Sequence, residues 1–354
     1  MKIRVAFILV FFLSIYSFDT FGQVQSQSSF RFVNLVTSAR VAGFGGNMIN
    51  VKDNDLSLAY GNPALLNPKM DNQVSFSFIK YLAGANYGTV SYAKDVKDIG
   101  TFAVNVQYVG YGDFDETDNT GAVIGSFKAN ETGINLAGSR QVNERFSAGA
   151  QLKFLFSNLA QYSAFGMGLD LAGTYHIEEE YLTTSLVFKN MGYQLSSYYD
   201  GGDKEPLPFE IQLGVSKKMK HAPFRLSVVL ENLQKWDLSY TDPNLIGKTD
   251  PLTGEQVEIK EASFGKKLML HTVFGVELVF SENIMLQMGY NYRRREELKT
   301  AEKPALAGFS FGAGVKFGAF KLNYALAGFN QSGSVHHFSL ALFFNEMKKE
   351  KVLN

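Results

Sequence analysis

The chain reads as an all-β protein, a fourteen-stranded antiparallel transmembrane barrel with an N-terminal lumen plug. Three features point there: a secretory start, a side-chain period of two sustained over most of the sequence, and connections that alternate between short and long.

The start has Lys2 and Arg4 ahead of an apolar run, Val5 to Ile15, and Thr20-Phe21-Gly22 before Gln23. The run falls short of the ~20 residues that span a bilayer as a helix, so residues 1–22 read as a cleaved signal peptide. No later stretch is apolar enough for a helical span. Any membrane crossing must then be made by strands closed into a barrel, which leaves no backbone group unpaired in lipid.

From Gln73 onward the alternation repeats. Phe146, Ala148, Ala150, Leu152, Phe154 and Phe156 alternate with Ser147, Gly149, Gln151, Lys153 and Leu155. Phe165, Met167, Leu169 and Leu171 alternate with Gly166, Gly168, Asp170 and Ala172, and Ile284 to Arg293 repeats the scheme. Successive strand residues face opposite sides, so each segment has one apolar face and one small or polar face. Fourteen segments follow: 73–80, 86–96, 99–111, 127–141, 146–157, 164–176, 181–191, 208–216, 224–233, 268–280, 284–293, 306–317, 320–326 and 335–344. Most exceed the ~5–6 residues of a soluble strand and suit the ~9–11 of a tilted membrane strand. The even-numbered connections are short, whereas 112–126, 192–207, 234–267 and 294–305 are long. Short periplasmic turns and long outer loops are the habit of membrane barrels. Tyr108, Tyr111, Tyr193, Tyr198, Tyr199, Trp236, Tyr240, Tyr290 and Tyr292 gather near the long loops and read as an interfacial girdle.

Residues 23–72 lack that period. Gly43, Gly45 and Gly46 form a Gly-rich stretch, Asp53 is placed to cap a helical turn running through Leu58, and Asn62-Pro63-Ala64-Leu65-Leu66 starts another. A fourteen-stranded lumen is too wide for its own side chains to fill, so this segment is expected inside it as the plug. The organisation is therefore signal 1–22, plug 23–72, barrel 73–344 and periplasmic tail 345–354.

Composition excludes several classes. With 34 acidic and 34 basic residues there is no charge excess to attract nucleic acid. With no cysteine there is no disulfide framework, thiolate metal site or lipidated Cys. Gly308-Phe309-Ser310-Phe311-Gly312 matches a nucleophile pattern that requires a strand, a turn and a helix, yet it lies within an alternating strand. His336 and His337 point to opposite faces and cannot chelate one ion. Asp113, Asp115, Glu116 and Asp118 fail the EF-hand spacing, and Arg293-Arg294-Arg295 is either a phosphate grip or a charged rim. No catalytic, cofactor-binding or metal-ligating set emerges.

Asp53-Asn54-Asp55 with Gly61-Asn62-Pro63-Ala64 resembles the hatch signature of the FadL-type family of fourteen-stranded barrels. A wider set resembles the PorQ-type barrels of the type IX secretion system, within the same PorV/FadL-like family. That set is Phe30 to Leu35, Thr37-Ser38-Ala39-Arg40, Gly45-Gly46, Asn62-Pro63-Ala64-Leu65-Leu66-Asn67-Pro68, Tyr81-Leu82-Ala83 and Asn86-Tyr87-Gly88. The resemblance covers residues 30–95. It implies a non-enzymatic role in an attachment complex, anchoring a PorZ-like surface protein beside the sortase PorU and the shuttle barrel PorV, where cargo is joined to lipopolysaccharide. It also makes Asn62, Pro63, Ala64, Leu65, Asn67 and Pro68 the plug motif. The loop 234–267, with 112–126 and 192–207, is the expected docking surface. Two alternatives are a FadL-type hydrophobic-solute transporter and a PorV-like cargo shuttle. The transporter needs an apolar lumen, whereas Lys153, Asp170, Lys189, Glu210, Glu231 and Glu277 are all expected to face inward.

Overall fold

A computed structural model of the chain describes residues 28–81, 84–239, 261–281, 283–298, 306–330 and 333–347. The signal 1–22, loop residues 240–260 with Tyr240, and tail residues 348–354 lie outside the described residues. The strands are β1 (Gln73–Lys80), β2 (Asn86–Val96), β3 (Gly100–Thr117), β4 (Val123–Gln141), β5 (Phe146–Leu159), β6 (Tyr162–Ile177) and β7 (Leu182–Ser196). The ring continues with β8 (Glu210–Lys218), β9 (Phe224–Leu230), β10 (Thr272–Val279), β11 (Ile284–Asn291), β12 (Phe309–Phe317), β13 (Phe320–Asn330) and β14 (Gly333–Phe343).

Each strand pairs antiparallel with its sequence neighbours, and β1 pairs with β14 from Gln73↔Phe343 to Lys80↔His336, which closes the barrel. The alternation falls as the sequence requires. In β1, Phe76 and Phe78 are exposed on the outer face while Gln73, Ser75 and Ser77 are buried on the inner one. Val104, Leu136, Leu152, Leu286, Leu322 and their equivalents continue that outer face around the ring. An apolar belt of this extent is stable only in lipid, and the architecture is that of an outer-membrane barrel. Among the described residues no helix is long and apolar enough to cross a membrane.

Several boundaries differ from the sequence reading. Residues 112–126, expected as a loop, are mostly strand: β3 and β4 run on beyond their neighbours to Thr117↔Val123, leaving 118–122 as the turn. Polar residues on both faces hid this ribbon, because a strand outside the membrane has no apolar face to bury. Residues 268–271, expected in a strand, complete a helix, Phe264–Leu270, capped by the Ser263 side chain. The helix Tyr292–Leu298 likewise takes up Arg293 to Arg295. The tail is not wholly free: Asn345 donates to Asp71, Glu346 pairs with Lys316 at 2.8 Å, and Met347 packs on Phe343.

Residues 30–71 lie inside the ring. They form short turns, Arg31–Asn34, Leu56–Leu58, Pro63–Leu65 and Pro68–Met70, and one helical turn, Ala39–Gly43, rather than longer helices. Their apolar side chains form the core with inward wall residues: Phe30, Phe32 and Val33 with Ile79, Val109 and Leu155; Leu56 and Met70 with Ala93, Ala103 and Ala137.

Candidate functional site: the occupied lumen and the outer rim

The turns of the luminal segment are built by short polar side chains. Asn62 Oδ1 accepts from the Ala64 N–H, and Pro63 occupies the first position of the turn, where no amide donor is needed. Asn67 repeats the device with Pro68 and Lys69. The same two amides reach back: Asn62 Nδ2 donates to the Ile49 carbonyl at 2.6 Å and to Thr174 on β6, and Asn67 Nδ2 donates to the Asp53 carbonyl. The cap at the preceding turn is Asp55, which accepts from the Ser57 N–H; Asp53, expected in that role, accepts from the Asp55 N–H instead. The structure thus brings Asn62, Pro63, Ala64 and Leu65 together as one buried knot, the turn Pro63–Leu65 resting on β4, β5 and β6, with Asn67 half-buried beside it and Pro68 exposed at its edge.

The segment is fastened to the wall around nearly the whole circumference. Thr89 donates to the Thr37 carbonyl, Ala39 N–H to Ser339, Tyr60 hydroxyl to Gln107, and Ser147 to the Ala64 carbonyl. Asn50 bonds Ser227 and its carbonyl accepts from Ser216, while Asn190 donates to Asn34. Wall glycines admit the segment's backbone. A Cβ on Gly289 would lie 1.9 Å from the Gly45 nitrogen, and one on Gly149 would lie 2.4 Å from the Ala64 nitrogen.

At the centre is a neutral cluster of six charges. Arg40, 1% exposed, contacts Asp53 at 2.6 Å, Asp55 at 3.1 Å and Glu277 of β10 at 3.0 Å. Lys321 of β13 reaches Asp55 at 2.9 Å, and Arg225 of β9 contacts Glu277 and Asp53. Burial opposes ionisation of Asp55, but Lys321 and Arg40 overcome it and hold the carboxyl well below the usual range. Asp53 is lowered too, with Arg40 and Arg225 outweighing burial. Three cations thereby balance three carboxylates inside the barrel, as burial of charge demands.

A second pair sits in the wall. Lys153 of β5 meets Asp170 of β6 at 2.7 Å, both fully buried. Asp170 also accepts from the Asn190 N–H where the β6–β7 register slips, and Lys153 donates to the Asn190 side chain. All six inward charges expected from sequence, Lys153, Asp170, Lys189, Glu210, Glu231 and Glu277, are buried on the lumen side.

Other sequence candidates resolve individually. Ser310 is fully buried within β12; its hydroxyl accepts from the Gly45 N–H and donates to the Gly43 carbonyl, so it is a fastening point of the luminal segment. His336 is exposed beside Tyr324, and His337 is buried on the opposite face. Asp113 pairs with Lys128, and Asp118 folds its own turn by accepting from Thr120 and Ala122. Among the described residues no group of His, Cys, Asp or Glu is placed to hold a metal. Arg293 turns to Glu231 and Glu297 rather than outward to lipid phosphates. Of the residues expected in the girdle, Tyr108, Tyr193, Tyr199 and Trp236 are exposed. Tyr111 and Tyr198 depart from it: they face the lumen, bonded to Glu131 and Ser157. Tyr111 keeps the inward parity of Val109, and in β7 bulges shift the parity ahead of Tyr198, which alternation alone does not reveal.

At the rim, the expected docking loop is described at its two ends. Trp236 stacks on His271 and packs at a tilt on Phe264, with ring centroids 5.2 and 5.4 Å away, and Asp237 pairs with Lys267 at 2.6 Å.

No family model matches the chain, and no curated protein matches it. Among solved structures it is similar to the CymD monoaromatic hydrocarbon channel: 15% identity over 88% of this chain and 98% of that one, with a TM-score of 0.50. The Pseudomonas putida toluene transporter TodX gives 11% identity, 87% and 98% coverage and 0.49; a Pseudomonas aeruginosa FadL homologue gives 13%, 87%, 98% and 0.48. At such identities the likeness to CymD is one of fold, and the fold it shares is that of a fourteen-stranded outer-membrane barrel.

Proposed function

We propose that the chain is a non-enzymatic outer-membrane anchor of a type IX secretion attachment complex, PorQ-type in sequence. It would hold a PorZ-like surface protein at its outer loops, beside PorU and PorV, where cargo is processed and attached to lipopolysaccharide. The observation that supports this reading is the filled lumen. Residues 30–71 act as a plug bonded to strands all round the ring and cross-linked by buried charges, which suits a rigid platform better than a conduit.

The second reading, a FadL-type hydrophobic-solute channel, draws support from the fold of CymD, described as a monoaromatic hydrocarbon channel. It requires an apolar route past the plug. The inward charges Lys153, Asp170, Lys189, Glu210 and Glu231 work against one.

Replacing 240–260 with a short Gly/Ser linker separates the two, since loop length costs little closure free energy. An anchor so altered keeps its heat-modifiable folded form but loses its co-purifying surface partner and leaves secreted cargo unattached. A double change, Lys153→Met with Asp170→Leu, replaces the wall pair and is expected to spare secretion. Retained cargo attachment in the loop variant, with hydrocarbon uptake abolished in the wall variant, would establish the channel instead. Asn62→Ala with Pro63→Ala is expected to raise antibiotic sensitivity while leaving the partner bound.

A further inference from the structure

At the outer mouth, between the luminal segment and the β7–β9 sector, lies a cavity of about 390 Å³. Its floor includes Met48, Leu58 and Tyr60 of the luminal segment. One wall carries Lys189 of β7 and its cross-strand neighbour Glu210 of β8, both more than nine-tenths buried. Lys189 lines the cavity, and among the described residues its ammonium makes no hydrogen bond or ion pair. That distinguishes it from Lys153 and Lys321, the other buried lysines of the lumen with a carboxylate partner in contact. A cation held so deep without a contact partner is costly unless an anion comes to it. Glu210 accepts the Asn232 N–H and a side-chain hydrogen bond from Gln212, and a carboxylate has lone pairs left for a further donor. Tyr60, buried in the floor, offers an aromatic surface to the C–H face of a ring.

We propose that this cavity binds a sugar acid, with its carboxylate on Lys189 and a hydroxyl donating to Glu210. A phosphate is disfavoured because its second negative charge would face Glu210 and Glu231, and the other cation at the cavity without an ion pair among the described residues, Arg31, is exposed on the luminal segment and not on that wall. A neutral sugar leaves the ammonium unmatched. The volume suits a ligand of one or two rings. The site stands apart from the anchor reading, because a cavity floored by the plug binds without conducting.

The test is calorimetric titration of the detergent-solubilised mature protein with D-glucuronate, methyl β-D-glucuronide, D-glucose, acetate and inorganic phosphate. Glucuronate or its methyl glycoside is expected to bind at least tenfold more tightly than glucose, acetate or phosphate. Tighter binding of the methyl glycoside would assign the ligand to the end residue of a surface glycan, and tighter binding of glucuronate to a free sugar acid. Lys189→Met is expected to lower that affinity at least tenfold in a protein that still shows heat-modifiable mobility. Lys189→Arg, which keeps the charge, is expected to retain binding and serves if the Met variant does not fold. Affinity unchanged in Lys189→Met, equal binding of glucose, tighter binding of phosphate, or no heat at tens of millimolar glucuronate each overturns the proposal.

Discussion

Replacing Arg40 with Met tests whether the luminal segment is held by its buried charges. The cluster is neutral with Arg40 present: Arg40, Arg225 and Lys321 against Asp53, Asp55 and Glu277. Without it, three carboxylates face two cations, and one buried negative charge is uncompensated. Breaking one partner out of a buried ion pair costs about 3–5 kcal/mol. At about 1.4 kcal/mol per decade, opening of the segment should rise on the order of a hundred- to several thousandfold. Hydrogen exchange resolved by peptide reads this directly, because it reports local opening: peptides covering residues 38–58 should lose protection while those of β5 keep theirs. Adding Glu277→Gln restores neutrality at two charges of each sign. The double variant should therefore regain at least tenfold of the lost protection, although Glu277→Gln alone weakens the segment. Protection in Arg40→Met within threefold of the parent, or additive losses in the double variant, would show that packing and not charge fastens the segment.

Three further outcomes are expected. Gly289→Val drives side-chain atoms into the Gly45 backbone and should destabilise residues 43–46 by about 1–3 kcal/mol or more, whereas Gly88→Ala, with its nearest neighbour at 3.6 Å, should leave exchange unchanged. Asp53 and Asp55 have folded values below the ordinary carboxylate value of about 3.9, so their stabilisation is complete above about pH 4 and lost as pH falls through the folded values; the temperature of the mobility shift should hold from pH 8 to pH 5 and drop only below about pH 4. Truncation after Met347 should be tolerated, while truncation after Phe344 removes the Asn345–Asp71 and Glu346–Lys316 contacts and should lower that temperature, and Phe344→Asp should impair assembly by charging the lipid boundary.

The barrel was legible wherever burial has two unlike faces. β1 and β2 match their sequence bounds because Phe76, Phe78, Val90 and Tyr92 meet lipid while Ser75, Ser77, Thr89 and Ser91 meet the lumen. The six inward charges were legible for the same reason. Legibility stops where that contrast stops. The β3–β4 ribbon beyond Gly110 has no lipid face, and Tyr198 sits past bulges that reset the parity, whereas Tyr111 is in phase with inward Val109. The identity of the caps was half visible: Asn62-Pro63 declares itself, but the preceding turn starts at Leu56, which makes Asp55 and not Asp53 its cap. The partners of Arg40 were not readable, since Glu277 and Lys321 stand hundreds of residues away with nothing local to mark them.

Those distant pairings also fix where the luminal segment sits. Hydrophobic packing alone would tolerate a segment slid along the lumen, because small wall residues such as Ala93, Ala103 and Ala137 present a smooth inner surface. Sliding by one residue would part Arg40 from Glu277 and Asp55 from Lys321, and would bring the backbone near Gly45 and Ala64 off the wall glycines that admit it. Buried ion pairs add little net stability but penalise the wrong alignment heavily. The seat of residues 30–37 at the outer mouth follows from that alignment: Asn34 meets Asn190, and Thr37 accepts from Thr89. The same alignment places Met48, Leu58 and Tyr60 beneath Lys189. An Arg40→Met variant should accordingly disturb the outer mouth as well as the centre, and its peptides over residues 30–37 should lose protection together with those over 38–58. Loss confined to the central peptides would mean that the mouth is positioned by its own contacts.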